Sequence, residues 1–160
     1  MKYLDWKPTY SDNTLLIDAY EDMQMYSAAK ASSIPLIIQL FENPKYDFLR
    51  FGRLPGSIDL FGHDILHILL SQNMAMKGEA YVIGYTMGST KKITHFDIVI
   101  FKLISQFLYP RNYRFNAQAL EVFIKGIEEG FNAKANNLNK VNFNSLLHKP
   151  LSEVRNILCI

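Results

Sequence analysis

The chain predicts an all-α fold, a single domain of six to seven helices around a metal site and an apolar cavity. Three observations carry this expectation. Apolar residues recur at i, i+3 and i+4 over long windows, and no stretch reads better as a strand than as a helix. Capping residues precede these windows, and Gly, Asn-Pro or Pro close them. Two histidines four residues apart, His63 and His67, stand inside one of the most apolar windows.

Taken in order, residues 1–11 read as an irregular lead-in with a turn at Pro8. Asp12 or Asn13 caps a helix running to about Ala31, with Leu16, Ala19, Tyr20, Met23 and Ser27 on one face. Ser33 caps a short second helix with Pro35 in its first turn, and Asn43-Pro44 ends it. Residues 45–56 form a loop in which Arg50 and Arg53 alternate with Phe48 and Phe51. Either this is a solvated loop whose aromatics plug the core, or the two guanidinium forks bind an anionic head group. Ser57 caps the central helix, expected to reach Met74.

Lys77-Gly78 turns the chain into a helix that carries Glu79 at its start and ends at Gly88-Ser89-Thr90. Val82 and Ile83 would suit a strand here, but Ala80 and the short preceding turn favour helix. Tyr81 and Tyr85, four apart on it, are candidate substrate contacts. Residues 93–109 are apolar nearly all round, which predicts a helix buried on most sides, with a cavity wall or a lipid- or partner-facing helix as alternatives. Asn116 caps an amphipathic helix that turns Leu120, Phe123, Ile124, Ile127 and Phe131 inward. Its Gly126 and Gly130 each cost about 1 kcal/mol of helix propensity, so a backbone or ligand is expected to approach closely there. The Asn-rich residues 132–144 read as loop, and Pro150 begins a last helix to about Leu158.

Composition narrows the function. At 160 residues with 49% hydrophobic and 20% charged residues, the chain can bury a real core. A net charge of +2 without a long basic run gives no electrostatic case for nucleic-acid binding. The single cysteine, Cys159, forbids an internal disulfide and suits a reducing, cytoplasmic location. Residues 1–8 lack the apolar core of a signal peptide, and no window of 18 or more apolar residues exists to span a bilayer. Peripheral contact at the inner face of a membrane stays open, as does a homodimer through the greasy helices.

The chemistry concentrates at Gly62-His63-Asp64-Ile65-Leu66-His67 and, after eleven intervening residues, at Glu79. On a helix His63 and His67 share a face, and Asp64 lies about 100° from one and about 60° from the other. Burying two imidazoles and a carboxylate without compensation is expensive, and a cation removes most of that cost. The mixed nitrogen and oxygen set suits Zn²⁺, with Fe²⁺ or Mn²⁺ as alternatives. A zincin peptidase would carry Glu where Asp64 stands, and an HD-type phosphohydrolase needs an earlier histidine that the chain lacks. The competing structural reading makes His63 and His67 hydrogen-bonded core histidines with Asp64 as a local partner. His95, Asp97 and His148 read as structural or incidental.

The pattern His63-Asp64-x-x-His67, eleven residues, Glu79 resembles the signature of the coenzyme Q biosynthesis protein four (Coq-four) family. Leu54-Pro55-Gly56-Ser57 and the run from Gly126 and Gly130 to Pro150-Leu151-Ser152-Glu153-Val154-Arg155 resemble it too. The resemblance implies a helical fold with a metal on His63, Asp64, His67 and Glu79 beside a hydrophobic tunnel for a prenyl lipid. It further implies a prenylated aromatic or quinone intermediate as ligand, other quinone-biosynthesis proteins as partners, and peripheral membrane association. The implied activity is oxidative decarboxylation of the prenylated ring. A non-catalytic lipid-binding scaffold with a structural metal and a small metal-dependent hydrolase are the alternatives.

Overall fold

The computed structural model describes residues 6–31 and 54–160, without the side chains of 27–31. The short helix expected over 33–43 and the arginine-aromatic loop with Arg50 and Arg53 lie outside the described residues. The described residues are all-α: α1 (Leu16–Ala31), α2 (Leu60–Leu69), α3 (Met76–Ser89), α4 (His95–Leu103), α5 (Ala117–Asn132) and α6 (Leu151–Leu158). A π-helical turn, Ile104–Leu108, continues α4, and three short 3₁₀ turns fill the connections.

Helix α1 starts at Leu16 rather than directly after Asp12 or Asn13, and the reason is non-local. Leu15 bridges to Pro150, and the Leu16 and Ile17 amides donate to the carbonyls of Lys149 (3.0 Å) and Leu147 (2.8 Å). The segment before α6 thus satisfies the orphan donors that a capping side chain would otherwise take. Trp6, in the lead-in, is buried in the same region, and its indole N–H donates to Tyr10. Leu16, Ala19 and Met23 of α1, Ile65, Leu66, Ile68 and Leu69 of α2, and Leu151 and Val154 of α6 form the first core cluster with Trp6.

The central helix is shorter than its apolar run suggested. Asp59, not Ser57, caps it, its Oδ1 accepting from the Gly62 amide at 2.8 Å. The helix stops at Leu69 because Ser71 takes a left-handed conformation (φ 53°). The following turn folds back onto α3: a Cβ on Gly78 would lie 1.9 Å from the Asn73 carbonyl oxygen, so only glycine admits this approach. That approach sits one residue before Glu79.

Helix α3 is the hub. Val82 and Tyr85 pack into the first cluster, while Ala80 and Met87 join Phe101, Phe115, Phe123 and Ile127 in a second. Against α5 its contact is backbone to backbone. A Cβ on Gly84 or Gly88 would lie 2.2 Å from the carbonyl oxygen of Phe123 or Ile127. A Cβ on Gly126 or Gly130 would lie 2.5 or 2.2 Å from that of Tyr81 or Tyr85. The close approach expected at Gly126 and Gly130 is therefore to another helix, which answers with its own Gly-x-x-x-Gly. Position 81 meets 126 and 85 meets 130, so the two helices run parallel, and the α4 segment supplies the return connection.

Helix α4 corrects the expectation of burial on most sides. Phe101 is buried, stacked on Phe123 with ring centroids 4.5 Å apart, and Ile104 is buried beyond it. Phe96, Val99, Leu103, Phe107 and Leu108 are exposed, between 48% and 72%. A helix that packs one side on the core keeps its other side in solvent, however apolar both are. Thr94 and Asp97 form a reciprocal capping box, so Asp97 is structural as expected. The π turn closes with the Tyr109 amide on the Ile104 carbonyl (3.1 Å), and Arg114 donates to the Tyr109 and Phe107 carbonyls. Asn116 caps α5 as expected, but Phe131 at its far end is 49% exposed rather than inward.

Candidate metal centre

His63 and His67 lie one turn apart on the buried face of α2, and Glu79 lies in the first turn of α3. The capped start of α2 and the turn over residues 70–75 bring these three side chains together; Lys77 and Gly78, expected to form the turn, already lie in α3, where Gly78 admits the Asn73 carbonyl. Their ligand atoms all lie within 4.8 Å of one another. His63 Nε2 is 3.0 Å from Glu79 Oε2 and 3.1 Å from His67 Nε2, and His67 Nε2 is 3.4 Å from Glu79 Oε2. Two ligands on a tetrahedral zinc ion, with bonds near 2.1 Å, stand about 3.4 Å apart. The three separations are thus those of one tetrahedral face, slightly contracted. The group could hold a metal ion.

The hydrogen bonding of His67 fixes which of its ring nitrogens faces the cluster. Gln72 offers His67 Nδ1 a carbonyl oxygen at 3.2 Å, which can only accept, so Nδ1 carries the hydrogen in that bond. In neutral His67 the Nε2 lone pair then faces His63 Nε2 and the Glu79 carboxylate. His63 Nε2 has one hydrogen at most for those two acceptors. His67 is fully buried and Glu79 is 21% exposed at its side chain, which leaves the cluster reachable from the carboxylate side. A backbone carbonyl fixing the far nitrogen is the arrangement that orients imidazole toward a metal.

Asp64 is buried, and its Oδ2 accepts from Gln24 Nε2 of α1 at 3.1 Å; it is not one of the three gathered ligands. Tyr81 donates its hydroxyl to Glu129 across the α3–α5 seam, and Tyr85 is buried beside it with ring centroids 5.9 Å apart. Burial first, and the Glu129 bond second, push the Tyr81 phenol well above its ordinary range, and burial does the same for Tyr85. Both are seam residues in this geometry. His95 and His148 are exposed and outside the cluster. Sequence reasoning did not find Gln24 or Gln72: an amide that meets a carboxylate from another helix, and a backbone carbonyl, leave no pattern in a sequence.

No protein-family model matches the chain, and neither a curated protein nor a solved structure matches it. Among the described residues, no helix is long and apolar enough to cross a membrane.

Proposed function

We propose that the chain binds one divalent metal ion, zinc first and iron or manganese next, and holds a prenylated aromatic intermediate of quinone biosynthesis beside it. The observation that carries the proposal is the gathering of His63, His67 and Glu79 at the spacing of metal ligands. The motif His63-Asp64-x-x-His67…Glu79 links that centre to the Coq-four family, and from that resemblance comes the substrate class. Three gathered protein ligands would leave a four-coordinate metal one position for a ring oxygen or carboxylate, as catalytic centres do.

Such an ion would polarise the ring's oxygen groups and hold negative charge there. The chain's own share is orientation and exclusion of water: Gln72 fixes the His67 ring, and Ile65, Leu66 and Ile68 wall α2 from solvent. Decarboxylation of the ring is the reaction class the resemblance carries.

A scaffold reading is favoured by a different feature. The exposed Phe96, Val99, Leu103, Phe107 and Leu108 stand in a segment with Lys92, Lys102, Arg111 and Arg114 against one carboxylate, Asp97. Apolar residues with basic neighbours suit an interfacial helix resting on anionic lipid.

Binding of a prenylated phenolic acid and of the same acid without its tail, each to zinc-loaded and metal-free protein, tests the proposal. The expected result is binding that needs both tail and metal. Equal binding of the two acids, or indifference to zinc, would refute it.

A further inference from the structure

The end of α2 is built as a Schellman turn, and its partner bonds reach the metal cluster. The Gln72 amide donates to the His67 carbonyl at 2.9 Å, and the Ser71 amide donates to the Ile68 carbonyl at 3.2 Å. In that motif the left-handed position usually belongs to glycine, but here it is Ser71 at φ 53°. The same Gln72 then turns its carbonyl to His67 Nδ1. One strained residue therefore determines where the atom that orients His67 lies.

Arg155, on α6, holds that turn from outside. Its Nε donates to the Leu69 carbonyl at 3.0 Å, and its Nη2 donates to the Ile68 carbonyl and to Ser71 Oγ, both at 3.4 Å. Its Nη1 pairs with Asp12 at 3.3 Å, which ties it to the segment before α1. A guanidinium on the last carbonyls of a helix also meets the negative end of its dipole. The positive charge, the carbonyls left over by the helix and the strained serine all meet at one side chain.

We infer that Arg155 is a positioning residue for the metal centre, holding Ser71 left-handed so that the Gln72 carbonyl keeps His67 Nε2 aimed at His63 and Glu79. This rests on the metal reading above. Loss of such an orienting contact typically weakens metal binding ten- to a hundred-fold.

The test uses Arg155→Met, which keeps an apolar stem, alone and with Ser71→Gly, which gives the left-handed position to the residue that takes it without strain. Cobalt affinity is read from its visible absorption, and the His67 Nδ1–H signal is read by NMR in metal-free protein. The expected results are cobalt binding at least about ten-fold weaker and faster exchange of that hydrogen in Arg155→Met, with both restored in the double variant. If Arg155→Met lowers the melting temperature but leaves cobalt affinity and the His67 signal as in wild type, Arg155 is only a strut and the inference fails. It fails equally if Ser71→Gly restores nothing. If wild type binds no cobalt, the metal reading falls, and the His67 signal alone then decides whether Arg155 sets the ring.

Discussion

Replacing Gly84 by alanine tests how α3, and with it Glu79, is held. The new Cβ would lie 2.2 Å from the Phe123 carbonyl oxygen and 3.1 Å from the Ile127 amide nitrogen, where ordinary contact begins near 3.4 Å. Neither neighbour is a flexible side-chain tip; both are backbone of α5. The two helices must therefore separate by roughly 1 Å along the seam. Overpacking of this kind costs about 1–3 kcal/mol. Alanine returns about 1 kcal/mol through helix propensity. The net expectation is a loss of up to about 2 kcal/mol, which lowers the melting temperature by up to about 8 °C in a chain of this size. Urea unfolding followed by circular dichroism, with thermal melts beside it, measures both quantities. A Gly84→Ala protein more stable than wild type would show that the helices do not meet backbone to backbone.

Other consequences follow from the same structure. Zinc at a hundred times its dissociation constant should stabilise wild type by about 2.7 kcal/mol, or about 5–11 °C; a thermal melt of Glu79→Gln should show little of that shift, and an equal shift would remove Glu79 from the site. The Tyr81 phenol, held above its ordinary 10.0 by burial and by Glu129, keeps its proton more tightly folded than unfolded. Its contribution is therefore fully present below about pH 10 and lost as pH rises further, so Tyr81→Phe should flatten the alkaline fall in stability measured by urea unfolding between pH 8 and 11. A parallel fall in both proteins would count against this. Leu103→Ser with Phe107→Ser should leave the melting temperature within a few degrees of wild type, since both side chains are about half exposed or more; cosedimentation with anionic vesicles should fall at the same time, and unchanged cosedimentation would disconnect that face from lipid.

Much of the fold was legible because its signals are local. Helices α1 and α5 follow their apolar periods, Asn116 and Pro150 mark two starts, and Gly126 with Gly130 announced a close approach. The histidine pair and Glu79 were legible for the same reason: four residues on one helix and a short turn leave little freedom. What the sequence hid is set by distant partners. The start of α1 depends on carbonyls near Pro150, more than a hundred residues away. The choice of Asp59 over Ser57 turns on where the chain first becomes helical, and both residues can cap. The exposed side of α4 carries the same residue types as its buried side, so periodicity could not say which one meets the core. Gly84 and Gly88 gain meaning only opposite Gly126 and Gly130. Asp64 was grouped with the histidines by helical angle and by the motif's resemblance, and neither shows that its carboxylate accepts from the amide of Gln24 on α1.

The central claim is a metal ion on His63, His67 and Glu79. Its most direct measurement is elemental analysis of zinc-loaded, dialysed protein, combined with X-ray absorption at the zinc edge. The expected result is about one zinc per chain, bound by two imidazoles and oxygen at about 2.0–2.2 Å, and lost in His67→Ala. Wild type that keeps no more zinc than His67→Ala would contradict it, leaving the two histidines as a hydrogen-bonded pair in the core.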